Sequence, residues 1–196
     1  KRQVITNNNL SFMGVTSTFL KGNTPCRIAR ISFSGELAFE VYVKSDFANT
    51  MMDLLWENAK KYDGCLYGLE ALGALRVEKG HVTAAELDGR VTIDDAGLSK
   101  MASTKKSYIG SAMRKRGVLK NNDREILVGF FPTNLKETFN AGTIVCEKNN
   151  IKGQGIGRIT SVTYSPELGH WIGLGFVKGL SLIHISRAHE TALDLV

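Results

Sequence analysis

Glu36 and Glu40 stand four apart in the run FSGELAFE, and Arg76 and Glu78 stand two apart in LRVEKG. A carboxylate projecting from an otherwise apolar strand must meet water or a donor. An aminopyrimidine ring offers adjacent N–H donors, which a carboxylate accepts in bidentate, charge-assisted fashion. Glu36 and Glu40 therefore read either as ligand carboxylates on one strand face or as the solvent side of an edge strand. The guanidinium of Arg76 can clamp a carboxylate with its planar fork, although a mixed cluster of Arg76, Glu78 and Lys79 at a helix end also suits weak surface pairing.

Neighbouring residues invite other chemistry and fit it less well. His81 titrates near neutrality and can move protons, but no nucleophile is fixed beside it in sequence, so a hydrogen-bonded structural histidine is the better reading. Glu86, Asp88, Asp94 and Asp95 lack the alternating ligands and terminal Glu of a calcium loop. Loop ordering through side-chain hydrogen bonds to the backbone explains them, and no metal site is expected. Gly153, Gly155 and Gly157 in KGQGIGR do not complete a nucleotide motif, because Ile159 to Val162 continue as a strand. They suit tight bends or close backbone approach. The basic run Lys105, Lys106, Arg114, Lys115, Arg116 reads equally as a phosphate or polyglutamate contact and as a solvated face.

These residues need a scaffold, and the chain is long enough to supply one: 196 residues, 43% apolar, bury a real core as one large or two small domains. A formal charge of +6 favours anions without naming one. Cys26, Cys65 and Cys146 are odd in number and in no CxxC arrangement, which suggests reduced cysteines. No run approaches the roughly 20 apolar residues of a spanning helix, and KRQVITNNNLSFM lacks the apolar heart of a signal peptide. A cytoplasmic protein without membrane contact is expected, and the missing initial Met fits a fragment.

The periodicities place two strands around Ser34-Gly35 in CRIARISFSGELAFEVYV, then a helix over FANTMMDLLWENAKKY with Ser45 or Asp46 as cap. A second helix, GLEALGALRVEKG, should bury Leu69, Leu72, Leu75 and Val77 and close at Gly80, leaving Arg76 partly free to reach a neighbouring segment. A third, short and basic, is expected over SYIGSAMRKRG. Beyond it EILVGFF, GTIVC, GIGRITSVTYS and HWIGLGFV read as strands of a small antiparallel barrel or sandwich.

The motifs RISFSGELAFEVYV, YGLEALGALRVEKGHVTAAELDGRVTIDDAGL, STKKSYIGSAMRKR and GRITSVTYSPELGHWIGLGFV follow in an order that resembles the aminomethyltransferase-like region of the sarcosine oxidase alpha subunit. More distantly, the chain resembles the glycine cleavage T protein. The resemblance runs from residue 12 to about 179. It implies an α+β fold: a mixed folate-binding portion over residues 1–120 that lacks its N-terminal part, a small antiparallel β-barrel over 121–180, and a tail, 181–196, unlike the family.

The resemblance also implies a role and its residues. It points to the tetrahydrofolate-binding portion of an oxidoreductase, which captures the carbon from oxidative demethylation of sarcosine as 5,10-methylenetetrahydrofolate. Glu40 falls where the T protein sets a glutamate against the pterin, with Glu36 earlier in the same motif. Arg76 and Glu78 match the second Arg and the Glu of ARDxLRLExG, whereas an earlier folate-contacting arginine is replaced by Leu72. The family's catalytic aspartate would lie before residue 1, so no catalytic residue is expected in these 196 and the isolated chain should be inactive. FAD, FMN and NAD belong to the complete oxidase and are not expected to bind here; the expected partners are folate and the other subunits of a hetero-oligomer. Two other classes stay open: a T-protein-like aminomethyltransferase, and a non-catalytic interaction or RNA-associated module, for which specific nucleic-acid binding is not expected.

Overall fold

A computed structural model describes residues 5–6, 9–20, 23–121, 123–146 and 154–179. The expected tail 181–196 and Gly153 lie outside these. The chain divides into two compact units, Lys1–Leu72 and Gly73–Val196.

The first unit is built on a three-stranded antiparallel sheet in the order β1 (Val15–Leu20), β2 (Thr24–Ala29), β3 (Glu40–Tyr42). Alternation along β2 turns Cys26 and Ile28 to one face, where they pack with Leu10 and with Met51 of helix α1 (Ala48–Ala59). Val41, paired with Ile28, joins that core, whereas Glu40 and Tyr42 take the opposite, exposed face. The two strands expected around Ser34-Gly35 do pair, through Arg27–Tyr42, Ile28–Val41 and Ala29–Glu40. Residues 30–39 between them are not strand. Glu36 thus sits in an exposed bend, next to a turn in which Gly35 N–H donates to Ser32 Oγ at 2.9 Å, and the expectation that it shares a strand face with Glu40 is corrected. Ser45 and Asp46 form a 3-10 turn ahead of α1 and do not cap it.

Helix α2 (Leu69–Glu78) is closed by Gly80, whose φ of 75° lets the chain turn away left-handed. Its expected apolar stripe is narrower than the sequence suggests: Leu69 is exposed, Leu72 and Leu75 are half-buried, and Val77 alone is buried. Val77 packs on Ile172 and Leu174 of the main sheet.

That sheet is four-stranded and antiparallel, in the order β4 (Glu125–Phe130), β7 (His170–Lys178), β6 (Gly157–Ser165), β5 (Ile144–Val145). The four segments are those the periodicity marks. β7 is buried over Ile172 to Val177 because both its faces are covered: Ile172 and Leu174 meet Val77, while Val177 joins Phe130, Phe139, Val145 and Ile159. The expected third helix is not formed. Gly110, at a φ of 91°, breaks the pattern, and the segment folds as 3-10 turns over Met113–Lys115 and Gly117–Lys120.

Candidate functional site

The stretch between α2 and β4 is ordered by two turns, each tied by an acid that reaches back to the N–H of a threonine three residues earlier. In Thr83-Ala84-Ala85-Glu86 the Glu86 carboxylate reaches back to the Thr83 N–H, its Oε2 at 2.8 Å. In Thr92-Ile93-Asp94-Asp95 the Asp95 carboxylate accepts the Thr92 N–H at 2.7 Å, and Thr92 Oγ1 returns the favour to the Asp95 N–H at 3.2 Å. The second pair makes the reciprocal contacts of a capping box, whereas at Thr83 the hydroxyl donates to Glu86 Oε2 at 3.1 Å and the Glu86 N–H goes to the Thr83 carbonyl at 3.0 Å. Each acid then takes an arginine: Glu86 Oε2 lies 3.1 Å from Arg76 Nη1, and Asp95 Oδ1 lies 2.9 Å from Arg124 Nε. The Asp95 carbonyl also accepts the Leu127 N–H at 2.9 Å, which staples the loop to β4.

Glu86 is wholly buried, yet its carboxylate is fully provided with donors. A register shift between Ile159 and Ser161 makes Thr160 an extra residue in β6. In a regular strand Thr160 and Ser161 would face opposite sides; the bulge turns both hydroxyls toward Glu86 Oε1, at 2.8 and 2.5 Å. Ser161 Oγ in turn accepts from Arg76 Nη2 at 2.7 Å, and Arg76 Nη1 reaches the His81 carbonyl at 3.3 Å. Burial pushes the Glu86 carboxyl upward, but hydrogen bonds from Ser161, Thr83 and Thr160 together with the Arg76 charge outweigh it and hold it below its ordinary value. His81 is lowered by burial and by the charges of Lys79 and Arg76.

Within the second unit, Arg76 is engaged on three sides. Glu78, exposed at the end of α2, accepts from Ser165 Oγ at 2.6 Å, and that oxygen accepts the Leu168 N–H at 3.0 Å, so the pair holds the β6–β7 turn. In the first unit Glu40 presents its carboxylate on the exposed face of an edge strand. One oxygen accepts the Tyr42 hydroxyl, which raises the Tyr42 pKa chiefly through that hydrogen bond. The other has no donor among the described residues. Glu36 belongs to the same unit, in the exposed bend ahead of β3. Among the described residues no group of three or more His, Cys, Asp or Glu side chains gathers as a metal site, and no helix is long and apolar enough to cross a membrane.

Sequence reasoning missed Glu86 as the centre of this network. The signal was present: Thr83-x-x-Glu86 and Thr92-x-x-Asp95 both carry the capping-box spacing.

The GCVT N-terminal domain matches residues 1–106, and the glycine cleavage T-protein C-terminal barrel domain matches residues 126–193. Sarcosine oxidase subunit alpha of Rhizobium meliloti (strain 1021) is 39% identical over 152 residues, covering 76% of this chain and 15% of that protein. The aminomethyltransferase of Halothermothrix orenii is 33% identical over 175 residues, covering 87% of this chain and 46% of that protein. The chain therefore spans less than half the length of these curated relatives. The crystal structure of glycine cleavage system aminomethyltransferase T from Bartonella henselae superposes with a TM-score of 0.72 at 21% identity, over 89% of this chain and 46% of that one, which shows a common α+β fold. With an N-terminal domain match over more than half its length and the barrel domain following in order, the chain belongs to the glycine cleavage T-protein family.

Proposed function

We propose that the chain is the tetrahydrofolate-binding portion of a larger sarcosine oxidase-like alpha subunit, and that in the whole protein it captures the carbon of an oxidised methylamine as 5,10-methylenetetrahydrofolate. The observation that carries this reading is the exposed carboxylate of Glu40, which has one oxygen held by Tyr42 and the other open. Such a group suits the paired N–H donors of an aminopyrimidine ring. Tetrahydrofolate, when bound, supplies the nitrogen nucleophiles; Glu40 orients its ring, and Tyr42 fixes the carboxylate rotamer. Glu36 is a further contact in this reading, supplied by a bend rather than by the strand.

Arg76 and Glu78 enter as support. The salt bridge to Glu86 and the bond to Ser165 keep the end of α2 against β6 in a fixed pose. The flavin and nicotinamide chemistry of a complete oxidase falls to other regions or subunits. The likeness to an aminomethyltransferase supports the alternative that the carbon arrives on a carrier rather than from a flavin, and Leu72 in place of the motif's first arginine weighs against it.

The test is calorimetric titration with tetrahydrofolate. Saturable binding by this chain, weakened by Glu40→Gln, supports the reading. Absence of binding both here and in the longer protein that contains this sequence rejects it. An RNA-associated role would show instead as tight association that survives physiological salt, against the steep salt loss of nonspecific binding.

A further inference from the structure

A cavity of about 890 Å³ opens inside the second unit, walled by the 103–108 loop, the two 3-10 turns after it and the start of β4. We propose that this cavity binds a small polyanion carrying several carboxylates or phosphates. Six basic side chains line it against two acidic ones, Asp94 and Asp95.

Both acids are committed to arginines. Asp94 holds Arg114 in a two-pronged pair, Oδ2 to Nε at 2.7 Å and Oδ1 to Nη2 at 2.6 Å. Asp95 grips Arg124 in the same manner. The pairs fix two guanidiniums as part of the wall and cancel their charge. Lys105, Lys106, Lys115 and Lys120 remain, all exposed, and among the described residues none has an ion pair or a hydrogen bond from its ammonium group. With six basic side chains against two acids, a net excess of four positive charges around one concavity raises the local potential and concentrates anions there, although Lys120 also acts on Asp94.

Neutral donors complete the lining. Ser103 Oγ accepts the N–H groups of Lys105 and Lys106, at 3.2 and 3.3 Å, and keeps its own O–H to donate. Ser107 and Ser111 add two more hydroxyls. A merely solvated basic face has no need to turn its lysines onto a common hollow lined with hydroxyls. The volume lies in the range that small ligands fill, which argues for a compact anion over a duplex. The site is confined to the second unit and stands independently of the pterin reading, since Glu40 belongs to the first.

Calorimetric titration of the 196-residue chain with tetraglutamate and, separately, with inorganic triphosphate tests this. Saturable binding of at least one is expected, falling with added salt, and the stronger arm identifies the anion as carboxylate or phosphate. Lys105→Ala with Lys106→Ala should weaken it about tenfold through loss of two charge-assisted contacts. Bound ligand should also protect the four cavity lysines from acetylation in the unmodified chain, with Lys44, Lys60 and Lys61 as unprotected controls. Absence of saturation by either anion, or protection no greater at the cavity than at the controls, overturns the proposal.

Discussion

Arg76 and Glu86, ten residues apart, meet at 3.1 Å with the Glu86 side chain wholly buried and the Arg76 side chain 13% exposed. The pair joins the end of α2 to the loop, and the bulged hydroxyls of Thr160 and Ser161 join both to β6. Breaking a buried pair from one side leaves an uncompensated charge, so Glu86→Ala should cost about 3–5 kcal/mol of stability. Ser161→Ala, which removes one neutral hydroxyl, should cost about 1–2 kcal/mol. Replacing Arg76 and Glu86 together by Met and Leu should cost less than the sum of the single changes, because no charge is stranded. Urea denaturation of Glu86→Ala, Ser161→Ala, Arg76→Met, Glu86→Leu and the double variant measures this; a Glu86→Ala loss below about 1 kcal/mol would show that the network carries little.

The same carboxylates set the acid limit. Asp94 is held at about 2, chiefly by its Arg114 hydrogen bonds and then by Ser99. In Glu86 and Asp95 burial is the largest influence and acts upward, but the hydrogen bonds prevail and both are lowered. A carboxylate lowered in the folded state binds fewer protons there than in the unfolded chain across the window between the two values. Stability from these groups is therefore complete above the unfolded value near 4 and declines as pH falls toward about 2. Asp94 is 36% exposed, so solvent screening leaves it a smaller share than the buried pair. Melting temperatures across that range should fall for the parent and fall less steeply for Asp94→Asn; an unchanged slope would remove Asp94 from the account.

How far the sequence speaks can be seen residue by residue. Strands β4 to β7 were legible because β-branched and aromatic residues cluster between turn signals, and they lie where that pattern put them, whereas β1 (Val15–Leu20) was not expected. The pairing of β2 with β3 was legible too, but Glu36 was misplaced because ELAFE reads as strand while the chain bends through it. The helix expected over SYIGSAMRKRG is interrupted at Gly110, whose φ of 91° leaves the right-handed helical region, and Arg114 beyond it pairs with Asp94, twenty residues earlier, a contact that helical periodicity does not encode. The Thr83-x-x-Glu86 spacing marks the turn that Glu86 ties, but its burial depends on a bulge in β6, more than seventy residues away, which the local pattern does not encode.

Gly157 offers a test of packing between β6 and β7. A Cβ built there would stand 2.2 Å from the Phe176 carbonyl oxygen and 3.0 Å from the Val177 Cα. Backbone atoms cannot yield as a side-chain tip does, so the strands would have to separate. Gly157→Ala should lose about 1–3 kcal/mol or more, and amide exchange along β7 should quicken with it. A neutral substitution would mean that the two strands tolerate a wider spacing than their register implies.

Glu40 carries the functional reading, and its contact with Tyr42 gives a readout that needs no ligand. The hydrogen bond to Glu40 raises the Tyr42 pKa above the ordinary 10, with desolvation and the carboxylate charge adding to it. Glu40→Gln removes the charge, so Tyr42 should ionise at lower pH in an ultraviolet titration, while the fold, in which residue 40 is exposed on an edge strand, should keep its melting temperature. Toward tetrahydrofolate the same change sets an amide donor against the N–H donors of the ring. It should weaken binding by about 1.5–3 kcal/mol, the worth of a charge-assisted hydrogen bond. Tyr42→Phe, which frees the carboxylate without neutralising it, should change affinity far less. The two measurements separate structure from recognition: a Tyr42 shift with unaltered folate affinity would leave the contact standing and transfer recognition of the ring away from Glu40.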